Sequence, residues 1–211
     1  MKLIQWLSKF RLHKSNPTFI MIMFNLMLFN LNITLNDNSL NYVRHGSFVK
    51  LHNSHTWTHL SNDQHSCLSE PKKKVILFYA SSGPLSEKWF WSINSVHPTS
   101  LFHGETIPCG SAIRISSTIY KNQIGIKKSV QGKYVIASYY DDMSPLTIWN
   151  VTCPAGNWTQ GLKVQFYNKE ANCFLSTSRT YPISIFTPTR FPVKCTKNTI
   201  DSVWEVNEGL F

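Results

Sequence analysis

Five histidines and one cysteine lie close together in sequence and could supply the ligands of a metal site. They are His45, His52, His55, His59, His65 and Cys67. Imidazole nitrogen and thiolate sulfur are the groups that commonly bind Zn²⁺ in proteins. The segment NSHTWTHLS is rich in threonine and tryptophan and therefore predicts a strand, on which residues four positions apart lie about 13 Å apart. That distance is too long for one ion, so we expect scattered surface histidines and predict no metal.

The carboxylates and nucleophiles of the chain do not form a recognisable catalytic set. Asp141 and Asp142 are adjacent, but they follow an apolar strand and precede Pro145, which predicts a turn. Neighbouring carboxylates on a turn point apart, whereas a glycosidase needs two that converge on its substrate. Cys67 and His65 are two residues apart, a spacing that defines no nucleophile and base. The sequence contains no G-x-S-x-G, no H-E-x-x-H and no phosphate-binding glycine loop, so we predict no enzyme and no cofactor.

A strand pattern occurs three times and identifies the elements that must position any functional side chain. Gly46, Gly110 and Gly161 are each followed, three and five residues later, by apolar residues with a polar or cationic residue between them. This period-two alternation predicts a half-buried strand. Each unit then has an apolar residue fourteen positions after its glycine, a further β-prone run, and a strand that begins with tryptophan. The predicted core positions are Val49, Leu51, Trp91, Ile113, Ile115, Trp149, Val164, Phe166 and Trp204.

Three units of four short strands predict an all-β domain over residues 41–211. No single unit can bury its apolar face alone, so the three units must share one core. A closed barrel with pseudo-threefold symmetry satisfies that requirement.

Cysteine usage favours disulfides over a metal or redox motif, because the five cysteines show no C-x-x-C spacing. The strand register predicts their pairing. Cys109 precedes the first strand of the second unit and Cys153 ends its last strand, and these strands should pair antiparallel. Cys173 opens the second strand of the third unit and Cys195 ends the hairpin partner. We therefore predict the pairs Cys109–Cys153 and Cys173–Cys195, which leaves Cys67 free.

The N-terminal 40 residues have the layout of a secretory signal. Four basic residues precede the apolar run FIMIMFNLMLFNL at 19–31, which is too short for an ordinary membrane span. We predict a cleaved signal peptide over residues 1–40, with a retained signal-anchor as the alternative. N-x-[ST] triplets occur at Asn32, Asn150 and Asn157, and we predict a glycoprotein modified at Asn150 and Asn157.

The formal net charge of +10 suits acidic partners, anionic lipid or nucleic acid. The basic residues are scattered apart from residues 72–74 and 127–128, which we interpret as solvated hairpin tips, and no nucleic-acid-binding signature accompanies them. Aromatic residues are the better binding candidates. In the run Trp89, Phe90, Trp91 either the phenylalanine or the tryptophans point away from the core, and Trp158 follows Asn157 in a loop. Such rings either stack on sugars or close the ends of the barrel.

The repeated G-S-x-V-K-L strand, the apolar residue fourteen positions on and the closing tryptophans resemble the MIR domain. The C-terminal segment VWEVNEGLF resembles the end of the stromal-cell-derived factor 2 family, where a W-x-x-x-E-G phrase closes the domain. The resemblance covers residues 42–211. Where the family has L-H-S-H after the second strand of each repeat, this chain has LSND at 60–63, IGIK at 124–127 and LSTS at 175–178.

The resemblance implies a β-trefoil fold and a location in the endoplasmic reticulum lumen. It further implies protein quality control in a complex with lumenal Hsp40-type and Hsp70-type chaperones and unfolded client proteins. The sequence ends without a K-D-E-L-type tail, so retention is expected to depend on a bound partner. Two alternatives are a secreted or surface β-trefoil lectin that binds glycans and an accessory to protein O-mannosylation. All three are non-catalytic functions of the secretory pathway.

Overall fold

The computed structural model describes residues 41–66, 74–83, 89–97, 104–140, 144–154, 156–180, 182–183, 189–197 and 199–211. The predicted signal segment, Asn32, Cys67, Asp141 and Asp142 lie outside these residues, and of His65 only the backbone is described. The predictions made for them, including the free thiol and the domain boundary, therefore stay predictions. No helix long and apolar enough to span a membrane occurs in the part of the chain that the structure describes.

The described residues form twelve β-strands and two short 3-10 helices. The strands are β1 (Phe48–Asn53), β2 (Thr58–Ser66), β3 (Lys74–Ser81), β4 (Phe90–Ser95), β5 (Ala112–Ser117), β6 (Gln123–Lys128), β7 (Tyr134–Tyr139), β8 (Trp149–Thr152), β9 (Gln165–Asn168), β10 (Cys173–Thr177), β11 (Arg190–Thr196) and β12 (Trp204–Leu210). The 3-10 helices are Pro145–Thr147 and Ile200–Ser202, each of which leads into the last strand of its unit. The predicted all-β class is confirmed.

Nine of the strands close into a ring. Its order is β1, β2, β3, β11, β10, β9, β8, β5 and β4, and β4 returns to β1. Strand β12 pairs with β1 outside this path, and β6 and β7 continue from β5. Every strand pair among the described residues is antiparallel. A closed ring leaves few unpaired edges, which makes the barrel wall a rigid support for side chains on its outer face.

The predicted core positions of the three repeats lie in the interior. Each of the nine is at most 1% exposed. Each of the three closing tryptophans makes the same type of hydrogen bond. Its indole N–H donates to the backbone carbonyl of the apolar residue fourteen positions after the repeat glycine. The bonds are Trp91 to Leu60 (3.0 Å), Trp149 to Ile124 (2.9 Å) and Trp204 to Leu175 (2.8 Å). This bond explains both sequence landmarks, because a buried indole N–H needs an acceptor.

Each repeat also places a residue in the left-handed region at the turn after its first strand. The residues are Trp57, Lys121 and Asn172, with φ of 56°, 55° and 49°. All three stand eleven positions after a repeat glycine. The turn is therefore a conserved element of the repeat within this chain, although different side chains occupy it.

The described residues contain two disulfides, one within the second unit and one within the third. Cys109 is bonded to Cys153, and Cys173 to Cys195. These are the pairs that the strand register predicts. Two disulfides in a domain of this size indicate a protein that folds in an oxidising compartment.

Candidate functional site

The histidine-rich segment is not one strand, and that prediction is wrong. The chain forms strand β1, turns at residues 54–57 and returns as β2. The hairpin places His52 opposite His59, with ring centroids 4.9 Å apart, while His55 lies on the turn itself. The segment lacks the glycine or proline that marks most turns, so its composition favoured a strand. The described residues contain no group of three or more metal-ligating side chains.

The turn at residues 54–57, which we call the Trp57 turn, is fixed by the buried side chain of Asn53. Its Oδ1 accepts hydrogen bonds from the backbone N–H of His55 (3.2 Å) and of Thr56 (2.9 Å), and from Oγ1 of Thr56 (3.0 Å). Its Nδ2 donates to the carbonyl of Asp201 at 2.9 Å. The backbone N–H of Trp57 closes the turn by donating to the carbonyl of Asn53 at 2.9 Å. Neighbouring groups thus determine the backbone of the turn.

Trp57 is the exposed aromatic residue of the turn. Its side chain is 72% exposed, whereas Trp89, Trp91 and Trp158 are each at most 3% exposed. A bulky residue at positive φ is a clear conformational outlier, with a cost of about 1–2 kcal/mol. The same conformation occurs at Lys121 and Asn172, so it belongs to the repeat. What distinguishes Trp57 is the large exposed ring that it carries at this position.

One side of the Trp57 turn continues into a row of rings on the outer face of β1 and β2. The indole of Trp57 meets His52 edge-on, with centroids 5.7 Å apart, and His59 stacks on the buried Trp89 at 4.3 Å. His52 Nδ1 donates to Oε1 of Glu205 at 3.0 Å. The row gives the indole a packed and hydrogen-bonded base.

His59 is the titratable group at the centre of this row. Burial, followed by the nearby His52 and Lys50, lowers the pKa of His59 to about 4. Its ring is therefore neutral at pH 7, and its Nε2 accepts a hydrogen bond from Nδ2 of Asn207 at 3.1 Å. Lys50, also buried, is paired with Glu208 at 2.6 Å and lies over the ring of Phe90.

The other side of the Trp57 turn lines a cleft of about 310 Å³, which we call the polar cleft. Its lining residues are His55, Thr56, Ser178, Arg179, Thr180 and Asp201. They supply hydroxyl groups, a guanidinium and a carboxylate, and Nε2 of His55 lies 3.5 Å from Oδ1 of Asp201. A volume of this size is at the lower end of the range of small-molecule sites. These side chains could donate hydrogen bonds to a compact polar ligand and accept hydrogen bonds from it.

The tryptophans named in the sequence analysis as binding candidates lie inside the barrel and not on its surface. Trp89, Trp91 and Trp158 are buried, as expected of rings that close the barrel, and Phe90 is partly exposed but covered by Lys50. These rings fill and close the barrel. Trp57 was missed, although its position eleven residues after Gly46 could have identified it by comparison with Lys121 and Asn172.

The two described sequons lie at the surface of the second unit. Asn150 is partly exposed on β8, and its Nδ2 donates to the carbonyl of Gly110 at 3.3 Å. Asn157 is also partly exposed, and its backbone forms an isolated antiparallel β-bridge with Pro108. Their glycosylation stays a prediction.

Neither a comparison with protein families nor one with curated proteins finds a match to this sequence. Solved structures do match the fold. An SDF2-like protein from Arabidopsis thaliana is similar with a TM-score of 0.68 and 16% identity, over 81% of this chain and 97% of that one. A Caenorhabditis elegans protein of unknown function matches with a TM-score of 0.67 and 17% identity, over 82% and 98%.

A third similar structure is the S. cerevisiae protein O-mannosyltransferase complex bound to the sugar donor. It matches with a TM-score of 0.63 and 16% identity, over 83% of this chain and 27% of that one. The resemblance seen in the sequence is thus confirmed at the level of the fold, which this chain shares with the SDF2-like protein over nearly that protein's whole length.

Proposed function

We propose that this protein is a MIR-type β-trefoil of the stromal-cell-derived factor 2 family, and that it acts in the secretory pathway as a non-catalytic binding protein. Its role is protein quality control beside lumenal Hsp40-type and Hsp70-type chaperones. The observation that carries the proposal is the likeness to an SDF2-like protein over 97% of that protein.

The threefold repetition of contacts supports the β-trefoil assignment. Each unit has a glycine at positive φ before its first strand, a positive-φ turn after it and a buried tryptophan that bonds to the second strand. The second and third strands of each unit pair as a hairpin, in β2–β3, β6–β7 and β10–β11. Contacts of one type at three equivalent places are expected of a threefold barrel with a hairpin cap.

The two disulfides support the secretory pathway, because such bonds form and persist in oxidising compartments. The use of the barrel interior for packing supports binding over catalysis. Indole, leucine and isoleucine side chains fill it, so functional groups are left to the turns and the outer face. The Trp57 turn, which hydrogen bonds to Asn53 hold in place, presents an exposed indole and not a nucleophile.

The test is an aggregation assay with the full chain, purified from a eukaryotic secretory host. A disulfide-bonded reporter is reduced in the presence of lumenal Hsp70-type and Hsp40-type chaperones, with and without this protein. We expect aggregation to fall further when all three are present than with the chaperones alone. No effect beyond that of the chaperones, together with no chaperone in affinity capture from lumenal extract, would contradict the role.

A second candidate function is an accessory role in protein O-mannosylation. The observation that favours it is the matching fold within the O-mannosyltransferase complex. Affinity capture distinguishes the two candidates, because an accessory is recovered with membrane-bound mannosyltransferase and a quality-control factor with soluble chaperones.

A further inference from the structure

We propose that the disulfide between Cys173 and Cys195 is a thiol-exchange site, at which a small anionic thiol forms a mixed disulfide with Cys195. Glutathione is the common cellular thiol of this class. The exchange is independent of the quality-control role proposed above and requires only a compartment that contains such thiols.

The Cys173–Cys195 bond lies in the wall of an open cleft of about 300 Å³, which we call the disulfide cleft. Residues 132–134, 171–173 and 195–197 line it. Cys195 is partly exposed, whereas Cys173 is only 4% exposed. The rate of exchange depends on access and on which sulfur is attacked. The difference in exposure therefore assigns the attack to Cys195 and makes Cys173 the leaving group.

The charged side chains of the disulfide cleft are lysines. Lys133, which precedes β7, and Lys197, which follows β11, both line it and both are exposed. No carboxylate side chain is among the described residues of the lining, and Glu170 lies in a different cleft together with Lys169. A cleft with charges of one sign raises the local concentration of ions of the opposite sign. Nearby ammonium groups also stabilise the attacking thiolate and the leaving one.

The fold supports opening of this bond without unfolding. Strands β10 and β11 pair over four residue pairs, and the hydroxyl groups of Ser176 and Thr177 donate to the carbonyls of Lys194 (3.4 Å) and Pro192 (3.2 Å). These contacts hold the hairpin independently of the disulfide. The bond also closes the shorter of the two loops, with a sequence separation of 22 against 44, so it is expected to contribute less to stability.

The exchange step is a substitution at sulfur. The thiolate of the small thiol attacks Sγ of Cys195 and forms a new S–S bond with it. The Cys173–Cys195 bond breaks, its electron pair leaves with Sγ of Cys173, and the resulting thiolate takes up a proton from water. One disulfide and one thiol give one mixed disulfide and one thiol, so the step consumes no oxidant and no reductant.

The second disulfide is a control within the same chain. Cys109 and Cys153 are both partly exposed, so access alone would open their bond at least as fast as the Cys173–Cys195 bond. Neither of them lines the disulfide cleft. A preference for Cys173–Cys195 that occurs with an anionic thiol and not with a cationic one therefore measures the charge of the cleft.

Exchange on the full chain, purified with both disulfides from a eukaryotic secretory host, tests the proposal. The probes are glutathione, which carries two carboxylates and one ammonium group, and cysteamine, a cationic thiol, at equal concentrations of thiolate. Alkylation stops the reaction, and peptide mapping by mass spectrometry gives the rate at which each bond opens and the cysteine that carries the adduct.

We expect glutathione to open Cys173–Cys195 about fivefold faster than Cys109–Cys153 or more, with the adduct on Cys195. Cysteamine should show no such preference, and about 1 M sodium chloride should abolish it for glutathione, because the screening length is then about 3 Å. The proposal is overturned if glutathione at about 10 mM opens neither bond, opens both at equal rates or modifies mainly Cys173.

Matched variants test the role of the two lysines. Lys133→Gln combined with Lys197→Gln should reduce the preference for glutathione over cysteamine at this bond about fivefold. Lys121→Gln combined with Lys163→Gln removes the same charge at two exposed lysines outside the lining and should leave the preference unaltered. Far-UV circular dichroism checks that both double variants are folded. An unchanged preference in the first double variant, or an equal loss in both, would refute the role of the cleft.

Discussion

Among the described residues four tryptophans are fully buried, and in the structure three of these have a hydrogen-bond acceptor, a difference that predicts their tolerance of phenylalanine. Trp91, Trp149 and Trp204 each donate to a backbone carbonyl at 2.8–3.0 Å. Nε1 of Trp158 is equally buried and has no partner among the described residues. The substitutions Trp91→Phe, Trp149→Phe, Trp204→Phe and Trp158→Phe remove the same atoms from environments of equal burial.

The expected magnitudes follow from two terms. Each substitution leaves a small cavity, which costs about 1 kcal/mol. At the three bonded positions the lost hydrogen bond and the deprived carbonyl add about 1–2 kcal/mol, so we expect destabilisation of about 2–3 kcal/mol. At Trp158 the substitution instead removes an unsatisfied buried donor, which should stabilise the folded state by about 1–3 kcal/mol and offset the cost of the cavity. Trp158→Phe should therefore be neutral or stabilising.

Urea denaturation monitored by far-UV circular dichroism measures the four free energies of unfolding against the unsubstituted protein. Circular dichroism is preferred because the substitutions change the tryptophan fluorescence. Equal slopes with urea would establish that the variants unfold from equally compact states. The reasoning is refuted if Trp158→Phe costs as much as the other three, or if those three differ from one another by more than about 1.5 kcal/mol, since bonds of one type should contribute alike.

Three further predictions concern sites away from these rings. Gly125→Ala should destabilise by about 1–3 kcal/mol in the same assay, because a Cβ would lie 2.8 Å from the Tyr139 ring and 2.9 Å from the Leu146 carbonyl; an unchanged midpoint would contradict this packing. The lowered pKa of His59, about 4 against 6.5, means that the unfolded chain binds the proton more tightly. Stability present above pH 6.5 should therefore be lost as the pH falls towards 4, by about 1–2 kcal/mol after allowance for solvent screening, and His59→Gln should flatten that part of the pH profile. A profile that keeps its slope in the variant would assign the loss to other groups. The disulfides close loops with sequence separations of 44 and 22, so replacing the longer pair by alanines should cost about 4 kcal/mol and the shorter pair about 3 kcal/mol; costs below 1 kcal/mol would show that the bonds restrict the unfolded chain little.

The repeated strand pattern could be predicted from the sequence because a strand with one buried face alternates apolar and polar residues. Val49 and Leu51 alternate with polar residues, and their counterparts recur at the same distance from a glycine. The closing tryptophans could be placed in the core in the same way. The backbone carbonyls that accept their indole N–H groups could not be predicted, because any residue type can supply a backbone carbonyl.

The candidate site was much less readable. The residue at positive φ, Trp57, is not of a type that favours this conformation, and Asn53 holds the turn through a side chain that could equally belong to a strand. Two segments distant in sequence, around Ser178 and Asp201, complete the polar cleft, and only the folded chain brings them together. For Trp158 the sequence left two interpretations open, a ring that stacks on sugars or one that closes the barrel, and its full burial supports the second.

The pairing of β12 with β1 has a consequence for synthesis. Lys50 and its partner Glu208 are 158 residues apart, and β12 is the last of the twelve strands to leave the ribosome. Until it does, β1 presents an unpaired edge, and the interior lacks the indole of Trp204. Pairing between such distant segments is slow, and an open strand edge invites aggregation while it lasts. A protein proposed to attend the folding of others would thus pass, late in its own synthesis, through a stage at which it needs the same protection.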